Sequence, residues 1–196
     1  MFCFASKYRW LSLVLYLSTT LADTFEPTAH YQVCFTPYQN CSQRIITAIG
    51  QARAHIHVQA YSFTSKPIIE ALQKAQGRGV QVRLILDKLH EDQPELARRL
   101  VRHRMAVWID HPTGIAHNKL IIIDHNQVIT GSFNFTHAAQ HRNVENVLII
   151  RDQALAARYL HHWYRRQAQA TPFKQTASHS SDRFIILVKK NTEMVN

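Results

Sequence analysis

Cysteine is scarce in this 196-residue chain, at three residues, too few for a disulfide-dense miniprotein. Acid is scarce as well. Thirteen Asp and Glu stand against 23 Lys and Arg, a formal net charge of +10. An excess of that sign points to a polyanionic partner, either nucleic acid or an anionic membrane surface. The sequence lacks internal repeats, and at 46% hydrophobic and 18% charged it fits neither a disordered chain nor a polytopic membrane protein. Its length predicts one domain with room for a sizeable core. Histidine is what the chain has in plenty, 13 residues, and it raises metal binding as the first idea to test.

Residues 1–22 read as a secretory signal peptide. Lys7 and Arg9 form a positive start, Trp10 to Leu17 an apolar stretch, and Thr20-Leu21-Ala22 a small-residue cleavage site. Spanning a bilayer takes about 20 apolar residues, and Ser18, Thr19 and Thr20 interrupt the run too early for that. Cleavage would leave 21 basic against 13 acidic residues, a mature charge of +8. It would also remove Cys3 and leave Cys34 with Cys41. An even pair in an exported protein suggests a disulfide closing a short loop; two reduced cysteines near a core strand are the other reading. No Leu-x-x-Cys lipidation pattern occurs. The expectation is a periplasmic or secreted protein, without stable membrane insertion once the signal is removed.

Strands are predicted at 31–35, 55–63, 80–87, 105–109, 117–124, 127–130 and 145–150. Between them run helices: one from a Ser42 cap through Ile49 and Ala52, one opened by Ser65 and Pro67, one at 94–104, and a last one capped by Asp152. A tight turn is predicted at His125-Asn126. Strands alternating with helices imply an α/β fold, with a mixed, mostly buried sheet flanked by helices on both faces. The domain is expected over 23–171, followed by a loose tail at 172–196 with an apolar patch at 184–188.

The chemistry is concentrated in His117-Asn118-Lys119-Leu120-Ile121-Ile122-Ile123-Asp124, followed after six residues by Gly131-Ser132-Phe133-Asn134. On a strand, His117 and Lys119 would project from one face. An imidazole beside an ammonium suits phosphate chemistry: the histidine as nucleophile or proton donor, the lysine neutralising the developing phosphoryl charge. Ser132 and Asn134 can donate to non-bridging oxygens, and Gly131 lets the backbone approach an anion.

This HxKx4Dx6GSxN pattern is identified as the signature of the phospholipase D superfamily. Ala60-Tyr61-Ser62-Phe63-Thr64, Gly79-Val80-Gln81-Val82 and Asn143-Val144-Glu145-Asn146 widen the resemblance toward the small bacterial Nuc-type endonucleases, over residues 30–170. The resemblance implies an α-β-α sandwich in which His117 is the nucleophile and forms a phosphohistidine. It implies that Lys119, Ser132 and Asn134 bind phosphate and that Glu145 orients the histidine. Asp124 belongs to the signature, but its place at a strand end suggests structural support. The family uses two such motifs and this chain has one, so a homodimer sharing one site is expected. The pair of histidines should then titrate as a unit, one neutral and one protonated.

The family's chemistry needs no metal or other cofactor. His55 and His57, like His161 and His162, lack a Cys or carboxylate at metal-ligand spacing, and no His-Glu-x-x-His occurs. Two arginine groups, Arg98, Arg99, Arg102 and Arg104, then Arg158, Arg165 and Arg166, are either solvated helix faces or contacts to a DNA backbone. Trp163, in phase with Leu155, Tyr159 and Leu160, is expected in the core. The basic balance and the Nuc-like runs favour a non-specific, metal-independent nuclease acting on DNA or RNA. A phospholipase D or cardiolipin-type lipid phosphodiesterase is the alternative, and a non-catalytic nucleic-acid-binding module the third reading.

Overall fold

Period-two burial builds the centre of the molecule. In β2 (His55–Ala60), Ile56, Val58 and Ala60 enter one core layer, while His57 and Gln59 face the other side of the sheet. In β5 (Lys119–Ile123), Ile121 and Ile123 join the first layer and Leu120 and Ile122 the second. Strands buried on both faces need cover on both, and helices supply it. The computed structural model describes residues 24–92 and 94–174; the expected signal segment and the apolar patch at 184–188 lie outside the described residues.

Among the described residues the sheet has eight strands. Their order is β1 (His30–Phe35), β7 (Asn146–Arg151), β6 (Gln127–Gly131), β5, β2, β3 (Gln81–Asp87), β4 (Ala106–Asp110) and β8 (Thr171–Pro172). Strands β2, β3 and β4 are parallel, and the remaining pairings are antiparallel. Helices α1 (Cys41–Gln51), α2 (Lys66–Gly77) and α4 (Glu95–Arg102) feed Ile45, Ile49, Ile68, Leu72 and Leu100 into the first layer. Helix α6 (Gln153–Gln167) covers the other face with Ala156 and Trp163. The mixed, buried sheet with helices on both faces is the architecture the alternating pattern implied.

Local differences have physical reasons. Asn40 caps α1, its Oδ1 accepting the Gln43 amide at 3.0 Å, and Ser42 lies inside the helix. Two one-turn helices, α3 (Leu89–Asp92) and α5 (His137–His141), are too short to leave a periodic signal. The turn after β5 is centred on Asp124 and His125, both left-handed at φ 49° and 57°, with the Asn126 amide closing onto the Ile123 carbonyl. Thr171 and Pro172, at the expected junction of domain and tail, pair with β4, and Phe173 packs against the core. Cys34 and Cys41 form a disulfide that ties the end of β1 to the start of α1.

Candidate active site

Because β5 and β7 run antiparallel to β2 and β6, the end of β2, the start of β5, the end of β6 and the start of β7 all meet at one edge of the sheet. His117, Lys119, Ser132, Asn134 and Glu145 belong to the segments at that edge. Strand β5 begins at Lys119, so His117 stands just outside it rather than sharing a strand face with the lysine. The two are brought together by other means. Lys119 is 8% exposed and its Nζ donates to the His117 carbonyl at 2.8 Å. Tyr61, just past β2, sets its ring edge-on to the His117 imidazole at 4.7 Å and lies 5.3 Å beneath the Lys119 ammonium. Burial lowers the Lys119 pKa from the ordinary lysine value, and the Glu145 carboxylate opposes that shift.

The hydrogen bonds of Glu145 in this structure are to other groups than the His117 ring that the resemblance implied. Its carboxylate accepts Ser132 Oγ at 2.6 Å and Asn143 Nδ2 at 2.9 Å. Among the described residues no hydrogen bond reaches the His117 ring. Buried Thr36 anchors the glutamate's backbone: its amide donates to the Glu145 carbonyl, its Oγ1 accepts the Glu145 amide, and it donates to the Asn143 carbonyl, each at 3.0 Å. Ser132 Oγ also accepts the Asn146 amide at 3.0 Å. Gly131, at φ 144°, lets β6 end here, since a Cβ would run into the Asn146 carbonyl. Asn134 Oδ1 is buried without a partner among the described residues.

Thr36, Asn143 and Tyr61 are the site residues that motif reading did not assign. Asn143 and Tyr61 lie in runs that carried the family resemblance, which was the available signal. Thr36 lies more than a hundred positions away in sequence from its partners and left none.

Asp124 sits at the far end of β5. Its carboxylate accepts the amides of Arg53, Ala54 and His55 at 2.9, 2.8 and 3.0 Å, fastening the α1–β2 connection to the β5–β6 turn. Burial pushes its pKa upward, but the three amides outweigh that and hold it below the ordinary carboxylate value. A cavity of about 760 Å³ lies at this end, lined by Arg53, Asp124 and Arg151 among others. It contains none of the motif's phosphate-binding groups, so the chemistry locates the site better than cavity size does.

The chain matches the family model described as cardiolipin synthase, PLD-like domain, over residues 45–166. It belongs to the phospholipase D superfamily. A phospholipase D of Rickettsia conorii is 49% identical over 69% of this chain and 68% of the relative. The mitochondrial cardiolipin hydrolase of Homo sapiens is 33% identical over 73% of this chain and 58% of the human protein. Among solved structures, the phospholipase D family member Nuc from Salmonella typhimurium superposes with a TM-score of 0.70 at 32% identity, covering 75% of this chain and 99% of Nuc. The phospholipase D assignment makes the chain a phosphodiesterase-type enzyme.

Other sequence candidates fall outside this superfamily site. Trp163 is buried, its Nε1 donating to the Val58 carbonyl at 2.9 Å. Arg166 pairs with buried Asp110, and Arg98 with Glu95. His55, His57 and His125 form a cluster at the sheet end opposite His117. Among the described residues, no group of three histidine, cysteine or acidic side chains is arranged to hold a metal, and no helix is long and apolar enough to cross a membrane.

Proposed function

We propose that this chain is an exported, metal-independent nuclease, acting on DNA and tolerant of RNA, that works through a phosphohistidine in a site shared by two copies. In the first step the His117 imidazole attacks phosphorus and the P–O bond to the leaving oxygen breaks. The second copy's His117 gives that oxygen a proton. The same imidazole then takes a proton from water, whose oxygen displaces His117 from phosphorus. Lys119, Ser132 and Asn134 hold the non-bridging oxygens, Ser132 by turning its hydroxyl from Glu145 to the phosphate, and the Lys119 ammonium supplies the positive charge that makes a metal unnecessary.

The charge balance around a complete motif is the observation that carries the reading. Among the described residues 18 Lys and Arg face 10 Asp and Glu, and several of those acids are engaged inside the fold. Asp87 accepts the Leu89 and Ala116 amides, Asp110 pairs with Arg166, Asp124 binds three amides, and Asp152 caps α6. The outward field is therefore basic, as phosphate-dominated binding requires. A second copy is favoured by exposed Tyr31, Val33 and Phe35, which line one face of edge strand β1 and lead to the site edge. A lipid phosphodiesterase is the second reading, favoured by the phospholipase D names of the rickettsial relatives.

Incubating the protein with plasmid DNA and with phosphatidyl-lipid vesicles, in EDTA, beside a His117→Ala variant, separates the two. DNA cleavage that survives EDTA and vanishes in the variant is expected. Headgroup release without DNA cleavage gives the lipid reading instead, and cleavage lost in EDTA refutes the metal-free mechanism.

A further inference from the structure

The geometry points to a second phosphate subsite beside the one around His117, in a cleft between the starts of α1 and α2 and helix α5. The inference rests on the phosphodiesterase reading and adds that the preferred substrate carries at least two phosphodiester groups.

The cleft, about 360 Å³, is lined among others by Ser42, Ser65, Lys66, Thr136, His137 and His141, and by no Asp or Glu. Helices of 11 and 12 residues, α1 and α2, both begin at it, so two positive dipole ends meet there. They are not equivalent. The first amides of α1 are already occupied: Asn40 Oδ1 takes the Gln43 amide and Gln140 Oε1 takes the Ser42 amide at 2.8 Å. Helix α2 is uncapped. Ser65 stands at its N-cap position without a side-chain cap bond, and Pro67 brings no N–H. Among the described residues the amides of Lys66 and Ile68 find no acceptor. Ser65 itself is 5% exposed, lines the cleft, and its hydroxyl has no partner among the described residues. The Ser65 hydroxyl opens on the cleft with two unpaired amides beside it, so three donors converge there and the partner they lack is an acceptor.

Charge gives the ligand its sign. Lys66 contributes an ammonium, while His137 and His141, four apart on α5, stand with ring centroids 4.2 Å apart on the exposed side. Gln140 fixes α5 from behind, its Nε2 donating to the Gln39 carbonyl at 2.9 Å. Two imidazoles at that spacing suggest a transition metal at first sight. A lysine and two helix N-termini at the same cleft repel a cation and favour an anion.

Phe135 joins the cleft to the catalytic edge. Its carbonyl accepts the Thr64 and Ser65 amides at 2.9 and 2.8 Å, and its neighbours Asn134 and Thr136 belong one to each site. A phosphate in the cleft would therefore be a near neighbour of the phosphate under attack. A nucleic-acid strand offers a phosphodiester at every nucleotide, cardiolipin offers two, and a diacyl phospholipid offers one.

The test compares Lys66→Ala and a His137→Ala/His141→Ala double variant with the unaltered protein. The substrates are a short single-stranded oligonucleotide and bis(p-nitrophenyl) phosphate, which has one phosphodiester. KM for the oligonucleotide should rise about tenfold in each variant, with kcat and turnover of the small diester unchanged. The slope of log affinity against log salt should become shallower by about 0.7 for each phosphate that a variant no longer neutralises. Unchanged KM and slope overturn the subsite. If the unaltered protein cleaves no oligonucleotide, the nuclease reading fails and the subsite is tested directly. Inorganic phosphate is titrated into His117→Ala protein while the imidazole NMR signals of His137 and His141 are followed. Saturable shifts weakened about tenfold by Lys66→Ala support the site, and signals that do not move overturn it. A Lys66 effect on cardiolipin vesicles that phosphatidylglycerol vesicles do not show assigns the second phosphate to a lipid.

Discussion

His57 is 1% exposed, on the face of β2 that meets α6. The Trp163 ring lies edge-on at 4.7 Å, the Tyr164 hydroxyl is 3.4 Å from Nε2, and Nδ1 is buried without a partner among the described residues. Burial first, then repulsion from His125, Arg83 and His55, lowers its pKa from 6.5 to about 4. An imidazole harder to protonate when folded favours the unfolded chain in acid. Stability should therefore be full above pH 6.5 and fall as pH drops from about 6.5 toward 4, by on the order of 3 kcal/mol for this group. His90 and His125 are shifted in the same direction, chiefly by burial, and steepen the loss. Thermal melts across that range measure it, and His57→Gln should flatten the curve. A Tm independent of pH between 6.5 and 4 would show that the cluster carries no such cost. Nothing in the spacing of thirteen histidines singles this one out, because alternation places His57 on a face without saying that α6 covers it.

Within elements, the signature aspartate shows what a motif conveys and what it leaves out. The spacing marks Asp124 as fixed, but its partners lie some seventy positions upstream, and only the antiparallel pairing of β5 with β2 brings them together. His117, Lys119, Ser132 and Asn134 were legible because the residues that share their chemistry are local in sequence. The contacts of Glu145 were not, since Ser132 and Thr36 approach it from two other strands' ends. Replacing Asp124 by alanine leaves three amides without their acceptor and unpins the α1–β2 connection from the β5–β6 turn. The expected cost is about 2 kcal/mol of stability, read by denaturant titration. The kcat of the folded fraction should stay within a factor of about two, because the residue is a strand's length from His117. A loss of kcat comparable with that of Lys119→Ala would give Asp124 a part in the reaction.

At the scale of the whole molecule the question is what covers β1. Among the described residues it is an edge strand, paired with β7 alone, and Tyr31, Val33 and Phe35 are 75%, 37% and 53% exposed on one face. Helix α6 packs on β2, β4, β5 and β6. Apolar side chains on an open edge invite association, and soluble monomers rarely leave such strands unprotected. A single motif per chain makes the same demand if the proposed two-step displacement holds, since it uses a second histidine as acid. A two-fold axis near the site edge would satisfy both, burying the β1 stripes and placing two copies of His117 across one cleft. Tyr31→Asp/Val33→Asp should then sediment as a folded monomer at concentrations where the unaltered protein is a dimer. Its activity should fall at least about a hundredfold and rise with the square of concentration, because only the transient pair is competent. The substitutions lie on an exposed face away from His117, so far-ultraviolet circular dichroism should be unchanged. A monomer of full specific activity would mean that one His117 performs both proton transfer and attack, and the shared site would have to be abandoned.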